Sequence, residues 1–195
     1  GWSFIGSDID PVSLASANKI IDSNPGLKEM VTCRLQPNPT DIFNGIIQED
    51  EIIDLTICNP PFHTSPEDAR AGTLRKLSHL KNEKVKTPVL NFGGQNTELW
   101  CVGGEERFVR DMIRQSRQFA TSCFWFSTLI SKKTNIPSVL EGLKKAEATE
   151  VITIPMGQGH KTSRIVAWTF LNKEQQKVWK QTRWSATNVP VASNK

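Results

Sequence analysis

Residues 52–58, Ile-Ile-Asp-Leu-Thr-Ile-Cys, are apolar at five of seven positions and run straight into Asn59-Pro60-Pro61-Phe62. A run this continuous suits a β-strand covered on both faces, as in the inner strands of a parallel sheet. The two prolines then end it. Each lacks a backbone N–H and fixes φ, so neither can donate to a sheet ladder. The chain is thereby confined to folds in which a buried strand delivers a stiff loop at its carboxyl end. In open α/β sheets that end is where ligands bind.

The flanking pattern agrees. Residues 2–7 predict a first strand, broken by Asp8-Ile9-Asp10-Pro11. Asp10 suits a helix N-cap and Pro11 the first helical position. Leu14, Ala15, Ala17, Ile20 and Ile21 make a helical stripe that stops at Asn24-Pro25-Gly26. Met30–Leu35 predicts a second strand, followed by a loop over 36–40. Gly103-Gly104-Glu105 opens a helix with Phe108, Met112 and Ile113 at helical spacing. Cys123–Ile130 predicts a further strand and Pro137–Ala146 a helix. Glu150–Pro155 and Ile165–Leu171 predict two strands joined by a Gly-rich polar segment, 156–164. Strands alternating with helices predict an α/β fold, mostly parallel, closed by an antiparallel hairpin.

Residues 63–100 break that rhythm. They are polar, weakly periodic and contain Gly93-Gly94, as expected of a functional insertion in a compact domain.

Composition narrows the classes. A chain of 195 residues is long enough for one domain around one core. The net charge of +4 and pI of about 8.9 fit a polyanionic partner. Cys33, Cys58, Cys101 and Cys123 show no C-x-x-C spacing, which points away from a zinc or disulfide framework and toward reduced thiols in the cytoplasm. No window is apolar for 18 residues, so no transmembrane helix and no membrane partner are expected.

Four features could carry chemistry. In Asn59-Pro60-Pro61-Phe62 the amide of Asn59 and the proline carbonyls are acceptors, and Phe62 is a flat face. A planar amine could donate to Asn59 and the Pro60 carbonyl while stacking on Phe62. Such acceptors would stabilise the positive charge that builds on the nitrogen as it attacks an electrophile. Asp8, at a strand end, has the character of an acid that accepts from ribose hydroxyls, although it could equally cap the following helix. Arg75, Lys76, Lys81, Lys84 and Lys86 crowd the insertion and suit phosphate contacts. Lys161 and Arg164 make a second basic spot beside Gly157 and Gly159. Trp100, Trp125 and Trp168 are expected in the core. His63 is not expected to act as a base, because a nucleobase amine can lose its proton after it has attacked.

Asn-Pro-Pro-Phe after a strand resembles the signature of S-adenosylmethionine-dependent amino-methyltransferases with a Rossmann-like sheet. Further blocks extend the resemblance: Asn91-Phe92-Gly93-Gly94-Gln95, Glu98-Leu99-Trp100-Cys101, Gly103-Gly104-Glu105, and Met156-Gly157-Gln158-Gly159 with Ser163-Arg164. Over about residues 2–184 the chain is similar to the RlmF family of 23S ribosomal RNA adenine-N6 methyltransferases. The resemblance implies S-adenosylmethionine as cofactor, with Asp8 at its ribose, Thr40 near its adenine and Asn59 near its methionine part. It implies a catalytic loop of Asn59, Pro60, Pro61 and Phe62, and N6 of adenine 1618 as the target. The implied partner is 23S ribosomal RNA or an assembling large subunit, met by a cytoplasmic monomer.

The family's glycine-rich first motif and basic N-terminal segment have no counterpart within residues 1–195. The expectation is therefore a partial methyltransferase domain over 1–184, with 63–100 as its substrate insertion and 185–195 as a polar tail. Exposed apolar sheet edges are expected where the first strand and its glycine-rich motif would lie. Protein-glutamine or DNA-adenine methylation stands as the alternative, as does a catalytically inactive RNA-binding fragment.

Overall fold

The computed structural model describes residues 1–69, 99–158 and 161–184. Strand β1 (Phe4–Asp8) leads into α1 (Pro11–Asp22). The expected cap is present: the Asp10 carboxylate accepts from the amides of Val12 at 3.0 Å and Ser13 at 3.2 Å. Pro25-Gly26 ends α1 but also starts a short helix, α2 (Pro25–Lys28), because a proline needs no amide bond in a first turn. Strand β2 (Val31–Leu35) then returns parallel to β1, from Phe4 opposite Val31 to Asp8 opposite Leu35.

The second sheet contains β3 (Ile53–Leu55), β4 (Cys123–Ile130), β5 (Glu150–Gln158) and β6 (Lys161–Thr169), in the order β3-β4-β6-β5. β3 and β4 are parallel, and β6 is antiparallel to both β4 and β5. β3 is shorter than the run 52–58. Ser127 donates its amide to the Thr56 hydroxyl at 3.2 Å and its own hydroxyl to the Thr56 carbonyl at 2.6 Å. Side-chain oxygens have replaced one rung of the ladder. Pairing resumes at Cys58, opposite Thr128. The expected cover on both faces is not found among the described residues. β3 is a sheet edge there, Ile53 packs on the core, and Ile57 is 84% exposed.

The closing hairpin is longer than expected, and much of the polar segment 156–164 is strand. Gln158 pairs with Lys161 and Met156 with Ser163, since a partner in register satisfies the backbone whatever the side chains are.

Helices α3 (Gly104–Ser116) and α4 (Ile136–Lys145) cover the second sheet. Val109, Met112, Ile113, Val139 and Leu143 meet Phe126, Ile130, Val166 and Trp168 in one core. Phe43 and Ile47, from the loop after β2, enter the same core, with the Phe43 ring 5.4 Å from that of Phe126. This contact joins the β1-β2 half to the larger sheet. Trp168 is fully buried and donates its indole N–H to Ser116 at 3.0 Å, whereas Trp100 and Trp125 are half-buried. Helix α5 (Lys173–Trp179) has no counterpart among the expected elements. It is too short, and too polar outside Val178 and Trp179, to show a stripe. Trp179 and Trp184 lie against Phe124.

Candidate active site

The Asn59–Phe62 loop is tied down at both ends. Before it, the Cys58 carbonyl accepts from Leu129 of β4 at 2.9 Å. After it, the amide of His63 donates to the Leu99 carbonyl at 3.0 Å, and the His63 carbonyl accepts from Cys101 at 3.1 Å. Between these anchors Pro60 is buried, Pro61 and Phe62 are half-buried and Asn59 is exposed. The Asn59 side-chain amide bonds to no described residue. Burial pushes the neighbouring Cys58 thiol up to about 11, which removes it as a nucleophile.

Asp8 ends β1 and is half-buried. The two acids of Asp8-Ile9-Asp10 divide the work: Asp10 caps α1, and Asp8 is free of that duty. The Asp8 Oδ1 atom accepts from the Asp10 amide at 2.8 Å, which orients the carboxylate. Its other oxygen bonds to no described residue. The backbone is fixed as well, with the Asp8 carbonyl accepting from Gln36 at 2.8 Å.

Thr40 is exposed in the loop after β2, with its hydroxyl and amide on the Asn38 side chain at 2.9 and 3.1 Å. Gln115 of α3 pins this loop from inside the core. It donates to the Thr40 carbonyl at 2.8 Å and accepts from Ile42 at 2.7 Å and Phe43 at 3.2 Å. Asn59 follows β3 and Asp8 ends β1. Arg164 of β6 lies opposite Ile130 at the end of β4, on the Asn59 side of the sheet. The Lys161 backbone begins β6 at that same end. Arg75, Lys76, Lys81, Lys84 and Lys86 lie outside the described residues.

His63 Nδ1 stands 3.2 Å from Asp68, in the helical turn 66–69. The bond to His63 comes first among the causes that hold the Asp68 carboxyl below its ordinary value. No group of His, Cys, Asp and Glu suited to a metal ion occurs among the described residues, and no described helix is long and apolar enough to cross a membrane.

Residues 1–172 match a protein family described as RNA methyltransferase. The chain belongs to this RNA methyltransferase family. It is 59% identical over 184 residues to the ribosomal RNA large subunit methyltransferase F of Cytophaga hutchinsonii, covering 94% of this chain and 57% of that protein. It is 53% identical to the protein of the same name from Yersinia enterocolitica, covering 94% of this chain and 55% of that one. The chain thus spans little more than half the length of these relatives. Its fold is that of the hMettl16 catalytic domain solved with the MAT2A 3'UTR hairpin 1, with a TM-score of 0.70 and 25% identity over 89% of this chain and 57% of the other. The N-terminal domain of human METTL16 solved with SAH shares the fold at a TM-score of 0.61 and 22% identity, over 88% of this chain and 54% of the other.

Two residues that hold neighbouring segments in place were assigned no role from the sequence. Gln115 and Glu105 are both buried polar residues of α3. The signal for Gln115 was its place on the apolar face, three residues after Met112. Glu105 entered only as the last residue of the Gly103-Gly104-Glu105 block, and nothing marked it as buried, because an acid in a first turn ordinarily faces solvent and the helix dipole.

Proposed function

We propose that the protein transfers a methyl group from S-adenosylmethionine to N6 of an adenine in 23S ribosomal RNA. One observation carries this reading: a stiff Asn-Pro-Pro-Phe loop, anchored to β4 on one side and to residues 99–101 on the other, with the Asn59 side chain exposed. The names of the relatives support ribosomal RNA as the substrate. The resemblance to RlmF selects adenine 1618 within it.

The cofactor supplies an electrophilic methyl group on a sulfonium. The residues present fit it: the Asp8 oxygen that bonds to no described residue suits a ribose hydroxyl, and Thr40 and Asn59 would take the adenine and methionine parts from loops held by Gln115 and by β4. On the substrate side, Asn59 Oδ1 and the Pro60 carbonyl accept the two amine N–H bonds and aim the lone pair. They also stabilise the positive charge that builds on N6. Phe62 stacks on the base, which must leave its own stack to arrive, so a loop or single-stranded adenine is favoured. The surplus proton then leaves to water.

Arg75, Lys76, Lys81, Lys84, Lys86, Lys161 and Arg164 contact phosphates on this reading. The partner is 23S ribosomal RNA, free or in an assembling large subunit, and the protein works as a monomer in the cytoplasm.

The test uses the natural protein in full, labelled S-adenosylmethionine and transcribed 23S ribosomal RNA, with the product digested to nucleosides. N6-methyladenosine should accumulate, and Asn59→Ala should lower the rate at least 100-fold while RNA affinity stays within about twofold. Label on protein glutamine or DNA instead of RNA would overturn the substrate assignment. A wild-type rate in Asn59→Ala would overturn the mechanism.

A further inference from the structure

We infer that Glu105 is a positioning residue for methyl transfer, setting the placement of the Asn59–Phe62 loop through the two elements it joins; this rests on the function proposed above. Glu105 lies in the first turn of α3 and is 1% exposed. Burying a carboxylate is costly unless donors surround it, and here four do. The amide of Ser131 donates at 2.8 Å, Lys132 at 3.1 Å and the Asn135 side chain at 2.8 Å. The Ser131 hydroxyl is the fourth donor. All four come from residues 131–135, just past the end of β4. The carboxylate therefore bolts the start of α3 to the end of β4.

The Asn59–Phe62 loop passes between those same two elements. Its first anchor is on β4, where Thr128 faces Cys58 and Leu129 binds the Cys58 carbonyl. Its second anchor is at the start of α3. There Cys101 binds the His63 carbonyl, and the Gly104 amide binds the Cys101 carbonyl at 2.9 Å. The contact is tight. Gly104 has φ of +59°, and a Cβ on it would meet Thr64 Cγ2 at 3.0 Å and the His63 carbonyl carbon at 3.4 Å. Each end of the loop is thus fixed to one of two elements, and Glu105 sets the spacing between them. Its hydrogen-bond partners among the described residues, Ser131, Lys132 and Asn135, lie outside the loop, so it acts on the chemistry only through position. Misplacement by about 1 Å costs on the order of 100-fold in rate.

The experiment compares wild type with Glu105→Gln and Ser131→Ala in the full natural protein, with S-adenosylmethionine and 23S ribosomal RNA. The glutamine variant turns an amide NH2 toward donors, and Ser131→Ala removes one donor while leaving the acid in place. Glu105→Gln should lower kcat by tenfold or more and Ser131→Ala by severalfold, with KM for both substrates within about twofold. Without substrate, amide hydrogen exchange at Leu129 and Cys101 should quicken in both. Wild-type kcat in a folded variant, or KM rising in step with the loss of kcat, overturns the inference. So does unchanged exchange at Leu129 and Cys101, whatever the substrate proves to be. If Glu105→Gln does not fold, Ser131→Ala decides alone. Absence of transfer by the wild type overturns the proposed function and leaves the exchange result to decide the role of Glu105.

Discussion

Replacing Asp54 by asparagine should destabilise the protein by about 2 kcal/mol at neutral pH and by far less at pH 2. Asp54 sits in β3 and gathers the C-terminal segment. Its carboxylate accepts from the indoles of Trp179 at 2.7 Å and Trp184 at 2.9 Å, and from Arg183 Nε at 3.0 Å and Nη2 at 2.8 Å. The Arg183 guanidinium, helped by both indoles, outweighs the opposing effect of burial and holds the carboxyl at about 2, against an ordinary 3.8. The side chain is only 20% exposed, so solvent screens the pair weakly. A folded-state value below the unfolded one means stability that is complete above pH 4 and lost as pH falls through 3.8 toward 2. At about 1.4 kcal/mol per tenfold in the acid constant, the difference amounts to about 2 kcal/mol. Urea unfolding of wild type and Asp54→Asn, followed by tryptophan fluorescence, measures the gap at each pH. It should be full at pH 7 and 5, about half at pH 3 and a few tenths of a kcal/mol at pH 2. Other carboxylates titrate in both proteins and cancel in the comparison. A gap that does not change between pH 5 and pH 2 would refute the charged clamp and leave only neutral hydrogen bonds.

Further outcomes can be measured directly. Asp8→Ala should weaken S-adenosylmethionine binding to the full natural protein by about tenfold, as for one lost hydrogen bond to a charged group, with RNA affinity unchanged; calorimetric titration reads both. Timed alkylation at pH 8 with peptide mapping should find Cys33 labelled well before Cys58 and Cys123, whose thiols burial pushes up. Lys81→Ala, Lys84→Ala and Lys86→Ala combined should flatten the salt dependence of RNA binding by roughly three counterions at most; an unchanged slope would remove that segment from the interface.

The Asn59–Phe62 loop was readable because proline chemistry is local. Asn59-Pro60-Pro61-Phe62 after an apolar run dictates a strand end and a stiff loop in any surroundings, and the cap at Asp10 is local in the same way. β4 coincides with Cys123–Ile130 because all eight of its residues are inward or nearly so. The errors lie where a distant partner decided. The ladder broke after Thr56 because the rung to Ser127 is made by side-chain oxygens. Met156–Gln158 joined a strand because residues 161–163 lay in register. Helix α5 stays in place through Trp179 on Phe124 and Asp54, contacts more than fifty residues away in the chain.

The sequence alone determined the alternation of elements, the stiff loop at Asn59–Phe62 and the acid at the end of β1, since each depends on the conformational limits of a few adjacent residues. Only the tertiary structure decided how the Thr40 loop and the end of β4 are held. It alone brought Glu105 to residues 131–135 and Gln115 to the Thr40 loop. Those assignments rest on hydrogen bonds between residues 26 to 75 positions apart. Such pairing follows from the packing of α3 on the sheet and leaves no pattern in local sequence.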